Sequence, residues 1–230
     1  MEDKKVTMYF VRHGETYLNK YKRMQGWSDA PLTEEGEEVA RKTGILLRDI
    51  RFDAVYTSDL GRTIRTAHAI MESNRYRDTT PMIQTKLFRE SFFGYYEGAT
   101  QQESYATFAK AAELSPHEMF GRLTLPEFMQ VIKNADPWHE AENYSELWAR
   151  LWKGLEEVTE VSTEDGHARV LICTHGNVIR NIFTRMDDRV SPAEEIRNAG
   201  VSILEYRNGS YKVKGFNLMD KIEDQEEEDV

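Results

Sequence analysis

Two histidines in this 230-residue chain stand where an apolar run gives way to glycine. Val6-Thr7-Met8-Tyr9-Phe10-Val11 has strand composition and stops at Arg12-His13-Gly14, and Val170-Leu171-Ile172-Cys173-Thr174 ends in the same way at His175-Gly176-Asn177. In open α/β sheets ligands collect beyond the carboxyl ends of parallel strands, so an imidazole placed there is a better candidate for chemistry than one inside a helix. A neutral imidazole can attack phosphorus through one ring nitrogen while the other is held by a hydrogen bond, and a guanidinium such as that of Arg12 offers a planar fork of donors matched to phosphate oxygens. Each histidine also has a plainer reading as a satisfied structural imidazole. That reading is kept for His68, His117, His139 and His167, none of which is followed by glycine at a strand-to-loop junction.

The elements that must position these groups follow in order. Residues 19–33 are rich in turn formers and read as a loop. Thr33 is a plausible N-cap, Glu34 and Glu35 suit the first turn, and Val39, Ala40, Thr43, Leu46 and Leu47 recur at helical spacing. Phe52 to Thr57 gives a second strand, and Ser58-Asp59-Leu60-Gly61-Arg62-Thr63 opens a second helix. A cation in the first turn of a helix opposes the macrodipole at a cost of about 0.3–1 kcal/mol. Arg62 therefore needs a compensating partner, either a bound anion or Asp59. Met82 to Thr85 after Pro81 is a short edge strand. Residues 99–142 lack strand character, carry scattered aromatics and are broken at Pro116, Pro126 and Pro137, which predicts a helical insertion forming a lid. A long amphipathic helix runs from Asn143 to near Thr163, a helix covers Gly176 to Arg185, and Ser191-Pro192 starts a short one. Val201 to Tyr206 and Tyr211 to Phe216 make a hairpin across Asn208-Gly209.

Arg12-His13-Gly14-Glu15-Thr16, with Asn19 three residues on and Thr174-His175-Gly176 late in the chain, resembles the histidine phosphatase superfamily, the phosphoglycerate mutase-like family. Other stretches are similar as well: Gln25-Gly26-Trp27 with Asp29 and Pro31-Leu32-Thr33, the segment Ser58 to Thr63, and Leu87-Phe88-Arg89-Glu90 with Gly94 to Gly98 behind it. Where the family often shows Gly-Glu-Ser, this chain has Ala141-Glu142-Asn143. The resemblance implies an α/β three-layer sandwich, with a mostly parallel central sheet, helices on both faces and the lid inserted. It implies His13 as the nucleophile that forms a phosphohistidine, and Arg12, Arg62 and a protonated His175 as donors to the transferring oxygens. Glu90 is implied as general acid/base, with Asp59 and Glu97 as rival acids and a surface pairing of Glu90 with Arg89 as the plainer reading. Asn19, Gln25 and the backbone of Gly26 are implied as neutral phosphate donors. No cofactor is implied, and no metal, since the acids show no ligand spacing.

The same residues could return the phosphoryl group to another hydroxyl of the same compound or give it to water. The cofactor-dependent mutases resemble one another in a Leu-Asn-Lys segment after the acid and a paired Arg-Arg. This chain has Tyr96-Glu97-Gly98-Ala99-Thr100-Gln101 there and no Arg-Arg, which favours a phosphatase. The partner is then a small phosphorylated metabolite, with an apolar or aromatic body suited to Phe108, Phe120, Phe128 and Trp138 of the lid. A phosphoglycerate mutase is the alternative, and a non-catalytic phospho-ligand binder stands further off because neither histidine nor Glu90 is lost.

Composition bounds the rest. Hydrophobic residues at 40% and charged ones at 30% fit a soluble globular protein, with no run long enough for a bilayer. The charged start, Met1-Glu2-Asp3-Lys4-Lys5, leads straight into the first strand, so no signal peptide and a cytoplasmic location are expected. Cys173, the single cysteine, excludes an internal disulfide and reads as a buried hydrophobe. A net charge of −10 argues against nucleic acid. Six of the forty acids lie in residues 223–230, which leaves 34 acids against 30 bases before them. Residues 1–222 are thus read as one mildly acidic domain, with 223–230 as a solvated tail, and a homodimer is left open.

Overall fold

The computed structural model describes residues 4–163, 166–220 and 222. The acidic run 223–230 lies outside them. The chain forms β1 (Lys5–Arg12), a single turn α1 (Tyr17–Lys20), α2 (Glu34–Leu46), β2 (Ala54–Ser58), α3 (Gly61–Met71) and β3 (Met82–Thr85). The insertion follows as α4 (Gln101–Ala111), α5 (Pro116–Arg122) and α6 (Leu125–Ala135). Then come α7 (Tyr144–Thr159), β4 (His167–Thr174), α8 (Gly176–Met186), β5 (Val201–Arg207) and β6 (Ser210–Leu218).

The strands form one sheet in the order β3-β2-β4-β1-β5-β6. β3, β2, β4 and β1 run parallel, and β5 and β6 add antiparallel pairings at the far side. β3 is an edge strand, as its proline and short length predict. In β1 the pleat sends Val6, Met8 and Phe10 to one face and Tyr9 and Val11 to the other. Both faces are buried: the first against α7 and α8, the second against α2 and α3. A strand covered on both faces reads as an unbroken apolar run, and β1 and β4 do. The architecture is thus the expected α/β three-layer sandwich. Cys173 is buried in the second core, where desolvation pushes its thiol pKa up.

Local signals explain the boundaries. Thr33 caps α2 by accepting the Gly36 N–H, and Asn143, Ser115 and Thr124 each form a reciprocal capping box with a glutamate three residues on. The hairpin β5-β6 turns through Asn208 and Gly209 at φ of 49° and 89°, the left-handed pair that a two-residue turn requires. The short helix expected at Ser191-Pro192 is absent. Backbone groups there bond outward instead: Glu194 O accepts from Arg180, Ile196 O from Arg12, and Glu195 O and Arg197 N bond the Asn217 side chain.

Helices α4 to α6 build a separate apolar cluster around Phe108, Met119 and Ile132. Of the four lid aromatics that could suit an apolar substrate body, Phe120 and Phe128 line a cavity, Phe108 is wholly buried within the insertion, and Trp138 is exposed and does not line the cavity. Among the described residues no helix is long and apolar enough to cross a membrane.

Candidate active site

Parallel pairing of β1 with β4 is what brings the two histidines together. Arg12 is in register with Thr174, so His13 and His175 are the next residues of neighbouring strands at the same end. The His13 amide donates to Thr174 O at 2.9 Å, and the imidazole centroids lie 5.2 Å apart. β2, on the other side of β4, delivers Ser58 and the start of α3 to that end, and β3 leads through Phe88 to Glu90. His13, His175, Arg62 and Glu90 are all buried.

The partners of each ring fix its tautomer. His13 Nδ1 lies 2.8 Å from Gly14 O; a carbonyl only accepts, so Nδ1 carries the proton and Nε2 keeps its lone pair. Burial, with Arg62 and Arg12 nearby, holds the His13 pKa well below the usual histidine value. His13 is therefore a neutral imidazole with one free nitrogen. His175 Nδ1 accepts from Arg62 Nη2 at 3.0 Å, and its Nε2 lies 2.9 Å from Ser58 Oγ. A guanidinium only donates, so the proton sits on Nε2. Burial and Arg62 depress the His175 pKa as well, which favours the neutral ring, and the protonated donor expected there is a form that nearby anionic charge has to supply.

Arg62 satisfies the demand that its helix position created, but through Asp29 rather than Asp59. Its Nη1 bonds Asp29 Oδ1 at 3.0 Å and Ser28 O at 2.8 Å, and its Nη2 also bonds Gly26 O at 2.6 Å. Asp29 Oδ2 accepts the Gly61 N–H, placing its negative charge on the N-terminus of α3. Asp59 instead forms a two-point pair with Arg89, both contacts at 2.6 Å. That pairing removes Asp59 from the rival acids and Arg89 from Glu90.

Glu97, the other rival, accepts backbone N–H groups from Gly26, Trp27, Ser28 and Phe93 at 2.8–3.1 Å. It organises the loop after the first histidine. The Gly26 amide, expected to face phosphate, is one of those donors. Glycine is required there because a Cβ would come within 2.1 Å of Glu97 Oε1 and 2.3 Å of Ser91 O. Glu90 is the buried carboxylate among the three. Its carboxylate accepts from Ser91 N at 2.9 Å and Asn177 N at 3.1 Å. Burial still raises its pKa, against the pull of those amides and of Arg62 and Arg12. Arg150 fixes the backbone beneath it, bonding Leu87 O, Arg89 O and Glu90 O and pairing at two points with Glu142.

Several buried donors are left without a partner: Arg12 Nε, Arg62 Nε and Gln25 Nε2. Gln25 is oriented by Thr16 Oγ1, which donates to its Oε1 at 2.7 Å and so turns the amide nitrogen free. Asn19 uses its Oδ1 to cap α1, which leaves Nδ2 for a ligand. Sequence reading missed Asp29, Glu97, Ser58, Arg150 and Glu142 as organisers of the site. Among the described residues no group of three or more His, Cys, Asp and Glu side chains is arranged to hold a metal ion.

The model of the histidine phosphatase superfamily (branch 1) matches residues 8–219, and the chain belongs to that superfamily. The uncharacterized phosphatase PhoE of Bacillus subtilis (strain 168) is 29% identical over 210 residues, which cover 90% of this chain and 92% of PhoE. A 2,3-bisphosphoglycerate-dependent phosphoglycerate mutase of Bifidobacterium longum (strain DJO10A) is 29% identical over 198 residues, 79% of this chain and 77% of the mutase. Among solved structures, a phosphoglycerate mutase from Bacillus anthracis str. Sterne matches with a TM-score of 0.89 at 33% identity, covering 95% of each chain. The protein is an enzyme of the phosphatase or mutase kind.

Proposed function

We propose that this protein is a metal-independent phosphomonoesterase acting on a small phosphorylated metabolite through a phosphohistidine on His13. The observation that carries the reading is a set of buried donors without partners on Arg12, Arg62 and Gln25, together with a buried imidazole, His13, on which the Arg62 and Arg12 charges act and whose Nε2 is free. Burying guanidinium groups without enough partners is costly, and a phosphoryl dianion supplies both the charge and the acceptors.

In this scheme His13 Nε2 attacks phosphorus while the bond to the leaving oxygen breaks. Glu90, whose acid form burial favours, gives its proton to that oxygen. Arg12 and Arg62 hold the charge that builds on the equatorial oxygens. The bound dianion favours the charged form of His175, so that ring becomes a further donor as substrate arrives. Glu90, now a carboxylate, takes a proton from water, whose oxygen displaces His13 from phosphorus and releases inorganic phosphate.

A phosphoglycerate mutase is the second reading, favoured by the similarity to the Bacillus anthracis protein. Against it stands the absence of the Leu-Asn-Lys segment and of any Arg-Arg pair. Release of free phosphate separates the two. The purified protein should hydrolyse a generic aryl phosphate with chelator present, and a panel of phosphorylated metabolites should yield phosphate rather than isomerised product. Isomerisation of phosphoglycerate without phosphate release would replace hydrolysis with the mutase reading.

A further inference from the structure

The cavity of about 600 Å³ has an apolar wall from α4 to α6, with Tyr105, Phe120 and Phe128 among its side chains, and a second set of linings that are polar and neutral. These are Ser91, just after Glu90, and Asn177 and Asn181, one turn apart on α8. The backbone N–H groups of Ser91 and Asn177 are the two that bond the Glu90 carboxylate, so the cavity opens against that acid.

Two buried neutral atoms of this lining, Asn181 Oδ1 and Ser91 Oγ, have no hydrogen-bond partner. Asn181 is 2% exposed, and its Nδ2 donates to Asn177 O at 2.8 Å. A carbonyl only accepts, so the amide nitrogen is the end held there and the oxygen is the end left over. The side-chain oxygen of Asn177 is already taken, since Arg180 Nη1 donates to it at 2.7 Å. Asn181 Oδ1 is therefore the unused amide acceptor of α8 on this cavity. A buried acceptor without a donor is unfavourable until one arrives. It also discriminates by chemistry: a hydroxyl satisfies it, whereas an ether, a methyl group or an anion does not. Ser91 Oγ both donates and accepts, and so makes no such choice.

We propose that Asn181 is a specificity-determining residue whose Oδ1 accepts a hydrogen bond from a hydroxyl on the leaving-group part of the substrate. The substrate class is then the phosphomonoester of an alcohol that keeps a further free hydroxyl, with its carbon skeleton against the apolar wall. The inference rests on the hydrolytic reading for its orientation, since Glu90 marks the leaving-group side.

The test compares 3- and 4-(hydroxymethyl)phenyl phosphate with the matching methoxymethyl and ethyl compounds. The methoxymethyl group keeps an acceptor and loses the donor, and the ethyl group loses both. One neutral hydrogen bond should favour the hydroxymethyl compound, in at least one ring position, by roughly threefold to tenfold in kcat/KM over both analogues. Asn181→Leu should bring that ratio close to one, mainly through KM, while Asn181→Asp, which keeps an acceptor, should retain a preference. Ser91→Ala should leave the ratio in place. No preference in the native enzyme at either position, which is the result if a water satisfies Oδ1, overturns the proposal. So does a ratio unchanged in Asn181→Leu or abolished in Ser91→Ala. Calorimetric binding of the same compounds to His13→Ala, with and without Asn181→Leu, needs no turnover. A hydroxyl preference in binding without any hydrolysis by the native enzyme would sink the hydrolytic reading and keep the subsite, and hydrolysis without preference would do the reverse.

Discussion

The two ends of this site are built differently. At the phosphate end every group is tied down by the sheet: His13 and His175 follow paired residues of adjacent parallel strands, Arg62 makes hydrogen bonds to four neighbouring groups, and Glu97 gathers four backbone amides. At the cavity end the wall comes from α4 to α6, which pack chiefly on their own cluster and present side chains to the cavity. Hydrogen bonds fix position to fractions of an ångström, whereas an apolar wall fixes only shape and volume. On the proposed function, the chemistry falls where geometry is most constrained, and recognition of the substrate's body where side chains can differ without disturbing it.

The largest separation between the ends should come from Glu90→Gln. Losing a general acid typically costs about 10²–10⁴-fold in kcat. The loss should be greatest for alkyl phosphates and much smaller for nitrophenyl phosphate, whose leaving group needs no proton. The pH dependence follows with its sign: burial raises the Glu90 pKa, the acid form is the active one, and kcat on alkyl phosphates falls as pH rises through that raised value. Glu90→Gln should remove that limb of the profile. Equal losses on both substrate types would show that Glu90 does not protonate the leaving group.

A smaller effect is expected from Glu97→Gln, which leaves the shape but removes the charge that collects the amides of residues 26–28 and Phe93. Hydrogen bonds to charged groups contribute about 1.5–3 kcal/mol each. Stability measured by denaturant should fall by about 2 kcal/mol, and the inhibition constant for inorganic phosphate should rise. If phosphate affinity holds while stability falls, the loop's geometry does not set phosphate binding. The smallest effect belongs to the wall. Phe128→Ala trims a half-buried ring facing the cavity, and should lower kcat/KM for aryl phosphates roughly threefold to tenfold, the scale of about 1 kcal/mol of lost apolar contact. Phosphate inhibition should stay within about twofold. A comparable change in both would mean that the two ends are not separable.

What the sequence made legible divides along the same line. His13, His175 and Arg12 could be read because a strand that ends in His-Gly announces both the element and its end. Arg62 could be read as needing a partner, but not which one. Asp59 is nearer in sequence, yet its carboxylate turns to Arg89, and the partner is Asp29, thirty-three residues away. Glu97 and Arg150 were misread or missed for a related reason. Their value lies in backbone groups about 60 to 70 residues distant, which no local periodicity reports. Glu142 fell at a departure from the family pattern, although it bonds Arg150 and the Phe92 amide. Residue types likewise do not reveal that Arg62 donates to His175 Nδ1. The lid could be foreseen as helical from its breakers and aromatics, but which rings face the cavity depends on how three short helices pack.

The central claim is that the free Nε2 of His13 becomes covalently bound to phosphorus. Rapid acid-free quenching of the enzyme with a phosphomonoester, followed by mass spectrometry of the peptide containing His13, tests it directly. The account predicts an 80 Da adduct on that histidine that forms before phosphate release, disappears on acid treatment and is absent from His13→Ala. Undiminished phosphate release by His13→Ala, or an adduct on any other residue, would contradict it.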